Sequence, residues 1–322
     1  MIDYTRKNFS RLRSSLSQNF KLTISLFIRL TLKPFCNLID KTIYFFLPKD
    51  KKVITSSKIA LIVSTPRSGS TFLYQTLTKT LNTIYFSNFH QLFPRLGSKF
   101  IFSKRICKKN FTTLKNFYGH TTGLRDVNEG NELIEYWFKT RDTSGIRARF
   151  LQTMEWFHYR SKNPVIIKNV GIYDRISDLY HAVPELIIIN ISRNTSQAVE
   201  SYLKAYYELG YFNLIPNTIK NKPIIDPVKS SVDIFLKIQN ILNNNLDKIP
   251  NKNIIHIPYE EFCKNPNFYI ELIAKKLQIA PNLDLINNIS IKASQSQKIS
   301  DIDSQKIKSY LSKVKKASKV IN

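Results

Sequence analysis

An uninterrupted apolar run, Ile59 to Val63, leads straight into the sequence STPRSGST at Ser64 to Thr71, and Leu73, Leu77 and Leu81 then recur at helical spacing. A buried strand, a turn of small residues and a helix start, in that order, make a phosphate loop. The N–H groups that open the helix have no partner within it, so they face an anion with the helix dipole behind them. Laid on the nucleotide-hydrolase pattern GxxxxGK[ST], Ser64 takes the first glycine's place, Gly69 the second, and Thr71 supplies the hydroxyl. Ser70 stands where the lysine belongs. That ammonium reaches terminal phosphates in ATP and GTP enzymes, so a loop without it grips a shorter anionic end, with Arg67 supplying charge from within the turn.

Four more β-branched runs alternate with helical patterns: Thr83 to Phe86, Pro164 to Ile167, Leu186 to Ile191 and Ile254 to Ile257. This rhythm predicts an α/β chain, a three-layer P-loop-type fold whose central parallel sheet is covered on both faces. The expected division is a basic and apolar N-terminal extension (1–54), a main domain (55–290) and a C-terminal tail (291–322) with a helix from Ser304 to Val314. Within the main domain, 87–163 reads as an insertion over the carboxyl ends of the strands, where open α/β sheets place ligands. The stretch from Tyr211 to Val228, with Pro216, Pro223 and Pro227, reads as a loop or lid.

A chain of 322 residues with 43% apolar residues can bury a large core. Its formal charge of +26 comes from lysines scattered along the whole sequence, which favours solvated surface over one dedicated patch. No zinc-finger spacing, helix-turn-helix pattern or aromatic RNA-binding signature accompanies the charge, so nucleic acid is disfavoured as a partner. Cys36, Cys107 and Cys263 are odd in number and far apart, which argues against a disulfide framework and fits a reducing, cytoplasmic setting. The N-terminal segment opens with Arg6, Lys7, Arg11 and Arg13 and continues in two apolar pieces, Leu22 to Leu32 and Phe35 to Leu47. Charges at Arg29, Lys33, Asp40 and Lys41 interrupt any bilayer span. Two readings stand: a pair of helices packed on the main domain, or a peripheral anchor with basic residues facing anionic lipid.

A second anion station follows the run Leu186 to Ile191. The strand ends in Ser192, Arg193 and Asn194; Asn194 can cap the next helix, with Gln197 three positions on, which leaves Arg193 at the strand end. Ser201 lies two helical turns further, where its hydroxyl could share an anion with that guanidinium. One loop for a short 5′ anion and an arginine plus serine for another suit a nucleotide phosphorylated at both ends.

Here the chain resembles the sulfotransferase family, which uses 3′-phosphoadenosine 5′-phosphosulfate (PAPS). The TPRSGST loop looks like that family's 5′-phosphosulfate loop, and RNTSQAVES from Arg193 to Ser201 looks like its 3′-phosphate motif with the same spacing. The stretch from Ile254 to Ile279 is similar to the strand, Tyr-Glu turn and helix late in bacterial and carbohydrate sulfotransferases. The likeness runs from about Lys58 to Ile279. It implies donor binding by Thr65, Arg67, Ser68, Gly69, Ser70 and Thr71 at the 5′ end, and by Arg193 and Ser201 at the 3′ end. It also implies chemistry without a metal.

By the same resemblance Lys168, closing the run VIIK, stabilises charge near the leaving oxygen. The cytosolic branch carries a histidine two residues beyond that lysine, and Val170 occupies the place here. The base must come from elsewhere: Glu129, in an Asn-Glu pair like that of related bacterial sequences, or His90 behind the second strand. Glu132 shares the acceptor-side segment, and Lys298 in the tail is open to two readings, a solvated lysine in a Ser-rich stretch or a residue that closes over the donor as basic tail residues do in some relatives. Tyr136, Trp137 and Trp156 are open to two readings, stacking on an acceptor ring or filling core. The expected reaction is sulfonyl transfer to a hydroxyl on a glycan, glycolipid or small molecule. A nucleoside or adenylylsulfate kinase and an inactive nucleotide-binding scaffold are the alternatives.

Overall fold

The computed structural model describes residues 20–46, 58–95, 121, 123–157, 162–220, 223–282 and 299–320. Its centre is a five-stranded, all-parallel sheet. The strands are β1 (Ile59–Ser64), β2 (Ile84–Tyr85), β3 (Val165–Lys168), β4 (Ile187–Ser192) and β5 (Ile254–Pro258), in the order β2-β3-β1-β4-β5. All five expected runs are strands. Every residue of β1 is buried, because its side chains alternate between two cores. Ile59, Leu61 and Val63 point into one core, and Ala60 and Ile62 into the other.

The two faces are covered by different helices. On one lie α2 (Ser70–Thr80), α9 (Tyr259–Lys264) and α10 (Pro266–Leu277), contributing Leu73, Leu77, Phe262 and Ile273. On the other lie α4 (Asn131–Trp137), α5 (Thr143–Phe157), α6 (Ile176–Ala182), α7 (Thr195–Leu209) and α8 (Pro227–Leu246). The C-terminal helix α11 (Asp301–Val320) joins that second face, with Ile307 fully buried. It is longer than the helix expected from Ser304 to Val314, since Asp301 and Asp303 add a first turn that suits the helix dipole.

One expectation changes and another is refined. The N-terminal apolar pieces form one helix, α1 (Phe20–Phe45), which runs through Pro34. Pro34 sits on the solvent side, while Cys36 and Asp40 are buried one turn apart and Lys33 pairs with Glu132, so packing continues across the break. The stretch expected as a loop or lid from Tyr211 to Val228 is loop over most of its described residues, and its start is held down: Phe212 is buried against Tyr202 and Tyr206, and the Tyr202 hydroxyl donates to the Leu214 carbonyl. Pro227 and Val228 already belong to α8, which Asp226 caps through the N–H groups of Val228 and Lys229.

Trp137 and Trp156 fill core. Trp137 is fully buried with its indole N–H on Thr153 Oγ1 at 2.9 Å, and Trp156 is packed edge-on by Tyr44 and covered by the Arg95 guanidinium.

Candidate active site

The strand order explains the site. Because β1 lies between β3 and β4, the carboxyl ends of these three strands stand side by side, in register Ile62↔Lys168 and Ser64↔Ile191. Lys168, the phosphate loop and Arg193 therefore emerge along one edge, and the crossover from β3 past β1 to β4 leaves the crevice where such sheets hold ligands.

The loop Thr65 to Gly69 turns between β1 and α2 with two residues in the left-handed region, Arg67 (φ 65°) and Gly69 (φ 85°). A β-carbon at Gly69 would lie 2.3 Å from the Tyr259 ring, so only glycine fits there. Thr65 Oγ1 and Ser68 Oγ are hydrogen-bonded at 2.6 Å across the turn, which fixes its shape. The positive φ at Arg67 is a strained conformation, and it carries the side chain toward α7, where Arg67 Nε donates to Ser201 Oγ at 3.0 Å.

Arg193 follows β4 and lies over the Tyr259 ring at 4.9 Å, its Nη1 donating to the Arg67 carbonyl at 3.4 Å. Its Nε is buried and has no hydrogen-bond partner. Asn194 caps α7 by accepting from Gln197 N, and Glu260 accepts from Asn194 N at 3.0 Å, so the turn that aims Arg193 is held from both sides. Ser201 has a protein partner of its own. Its hydroxyl accepts from the Arg67 side chain while Arg193 donates to the Arg67 carbonyl, so Arg67 links the two stations. Tyr259, in the Tyr-Glu turn after β5, supports both Gly69 and Arg193.

On the other flank, Lys168 is only 2% exposed and its Nζ donates to Thr71 Oγ1 at 3.2 Å and to Glu129 Oε1. A buried ammonium needs such a partner. Glu129 keeps 30% of its side chain exposed, so it can also meet a ligand. Its segment is clamped by residues far away in sequence. Asn169 Nδ2 donates to the Glu129 carbonyl (2.9 Å) and Asn131 Oδ1 (2.8 Å), and Asn128 Nδ2 donates to Asn88 Oδ1 (2.8 Å) and Gln91 Oε1 (3.2 Å). Asn169 and Gln91 were missed in the sequence; the signal for Asn169 was its place directly after the strand-ending lysine.

His90 is the correction. It lies in the short helix α3 (Asn88–Leu92), fully buried, with its ring between Phe86 and Phe157. Its Nδ1 accepts from Ser87 N in a capping box, and burial pushes its pKa down to about 3. A weak base that no acceptor can touch does not serve as the general base. Glu132 is engaged elsewhere, by Lys33 Nζ at 2.6 Å and Gln91 Nε2 at 3.0 Å. Lys298 lies outside the described residues. Among the described residues no group of histidine, cysteine, aspartate and glutamate could hold a metal ion.

A family model described as "Sulfotransferase family" matches residues 60–281, more than half of the chain and, but for Ile59, all five strands. The chain belongs to the sulfotransferase family. Transferase chemistry and the α/β architecture come with that membership. A sulfotransferase from Mycobacterium tuberculosis H37Rv superposes with a TM-score of 0.58 at 10% identity, covering 94% of this chain and 92% of that one, and so shares the fold. A sulfotransferase from Mycobacterium avium matches with a TM-score of 0.49 at 11% identity, over 94% of this chain and 77% of the other. No curated protein sequence matches the chain.

Proposed function

We propose that this sulfotransferase moves the sulfonyl group of PAPS to a hydroxyl on a glycan or glycolipid. The observation that carries the reading is the continuous cationic path from the phosphate loop to β4: Arg67 bridges to Ser201, and Arg193 reaches Arg67 with a buried N–H left over. Two guanidiniums at one strand edge suit a ligand with two anionic ends.

In this reading the N–H groups of Ser68 to Thr71, with Thr65 and Arg67, hold the 5′ phosphosulfate, and Arg193 and Ser201 hold the 3′ phosphate. The acceptor oxygen attacks sulfur as the bond from sulfur to the phosphate oxygen breaks, and adenosine 3′,5′-bisphosphate leaves. Lys168, placed between Thr71 and Glu129, stabilises negative charge at the leaving oxygen. Glu129 takes the acceptor's proton; its part-exposed carboxylate and the hydrogen bonds that fix its segment favour that role.

The test is transfer of sulfur-35 from labelled PAPS to a panel of glycans, glycolipids and small phenols, with and without magnesium chelation. Label on a glycan or glycolipid, unaffected by chelation, supports the reading. Donor binding with no transfer to any acceptor assigns an inactive scaffold, and transfer confined to phenols removes the glycan assignment.

A further inference from the structure

Helix α1 carries a face that the described chain leaves uncovered. Phe35 and Leu38 are 64% exposed, Phe45 75% and Phe46 77%. At about 100° per residue, Phe27, Leu38 and Phe45 fall in one row and Phe35 lies beside it, with Phe46 directly after the helix. Thr31 and Thr42 share this face, and each turns its hydroxyl back to a helix carbonyl, Phe27 O and Leu38 O, at 3.0 Å. Those hydroxyls are satisfied without water.

The only carboxylate of the helix, Asp40, points the other way. It is fully buried and held by Arg95 at 3.0 Å. The exposed face thus offers aromatic and aliphatic side chains with Lys41 at its border and no negative charge. Sequence on both sides is basic: Arg6, Lys7, Arg11 and Arg13 precede the helix, and Lys49, Lys51 and Lys52 follow it.

We propose that this face docks on an anionic lipid bilayer, with α1 lying in the plane of the headgroups. No described helix is long and apolar enough to cross a membrane, which leaves α1 on the surface. A second copy would bring together two chains of formal charge +26; an anionic bilayer complements that charge. The Lys33–Glu132 ion pair ties α1 to α4, the helix that follows Glu129, so docking holds the acceptor side of the crevice close to lipid. The dock rests on α1 and not on the identity of the donor.

Flotation of the full chain with vesicles tests it, using phosphatidylcholine alone or with about 30 mol% phosphatidylserine at about 0.1 M salt. The protein is expected on the anionic vesicles, at least about tenfold more weakly on neutral ones and at raised salt. The double substitution Phe35→Asp, Leu38→Asp should lower binding at least about tenfold while leaving the thermal midpoint in place, since both side chains are exposed. Lys41→Glu, a milder change, should weaken it a few-fold. Absence from anionic vesicles, equal binding by the substituted proteins, or a solution dimer that the double substitution dissociates would each overturn the proposal.

Discussion

The two sides of the crevice are built by different means. Donor-side residues sit where a strand gives way to a helix: Thr65 to Thr71 between β1 and α2, and Arg193 between β4 and α7. Their positions follow from the chain within a few residues and from the strand order. On the acceptor side, Glu129 lies in an irregular segment whose place is set by Asn88, Lys168 and Asn169, each about 40 residues away in sequence. The donor cradle starts from local turns and is then braced by Tyr259 and Glu260, whereas the acceptor-side carboxylate hangs on distant hydrogen bonds, and that contrast is where the account can be broken.

The largest expected effect is on the acceptor side. Glu129→Gln should lower turnover by about 10³-fold, the loss of a general base, while affinity for adenosine 3′,5′-bisphosphate stays within about threefold. Steady-state kinetics beside calorimetry check this, and unchanged turnover would remove Glu129 from the chemistry. On the donor side the matching change is Gly69→Ala. The added methyl meets the Tyr259 ring at 2.3 Å in a left-handed turn, so stability should fall by about 3 kcal/mol in denaturant melts, and bisphosphate binding should fall with it.

Acid should loosen the acceptor side specifically. His90 is held neutral by burial, with its pKa near 3 in the folded chain against about 6.5 unfolded, so the unfolded state binds the extra proton in that window. Stability is full above about pH 6.5 and lost as pH falls toward 3, by about 2 kcal/mol between pH 7 and pH 5. His90→Gln, which keeps a side chain able to close the capping box, should flatten that part of the profile. The smallest effect expected is for Asn169→Ala. It frees the Glu129 segment and should cost about tenfold in turnover with the donor KM unmoved.

Much of this was legible before any coordinates. The five apolar runs, the phosphate loop and the Arg193 turn are local patterns, and the parallel order follows from strands alternating with helices. Ser201 was placed near the second station by helical spacing, yet its bond to Arg67 was not readable, because that contact depends on a positive φ at a non-glycine residue. His90 misled because a lone histidine after a strand carries no sign of burial; only the capping geometry with Ser87 and the two phenylalanine rings settle it. The reading of the two N-terminal apolar pieces as a pair of helices failed for a related reason. A proline on the solvent side of a helix packed on its other face need not end it.

The central claim is that Arg193 and the phosphate loop grip opposite ends of one nucleotide. Calorimetric titration with adenosine 3′,5′-bisphosphate, on the parent protein and on Arg193→Ala without added metal, tests it most directly. The account predicts roughly micromolar binding that the substitution weakens by about 100-fold. Equal affinity in both proteins, or no binding by the parent, would contradict it.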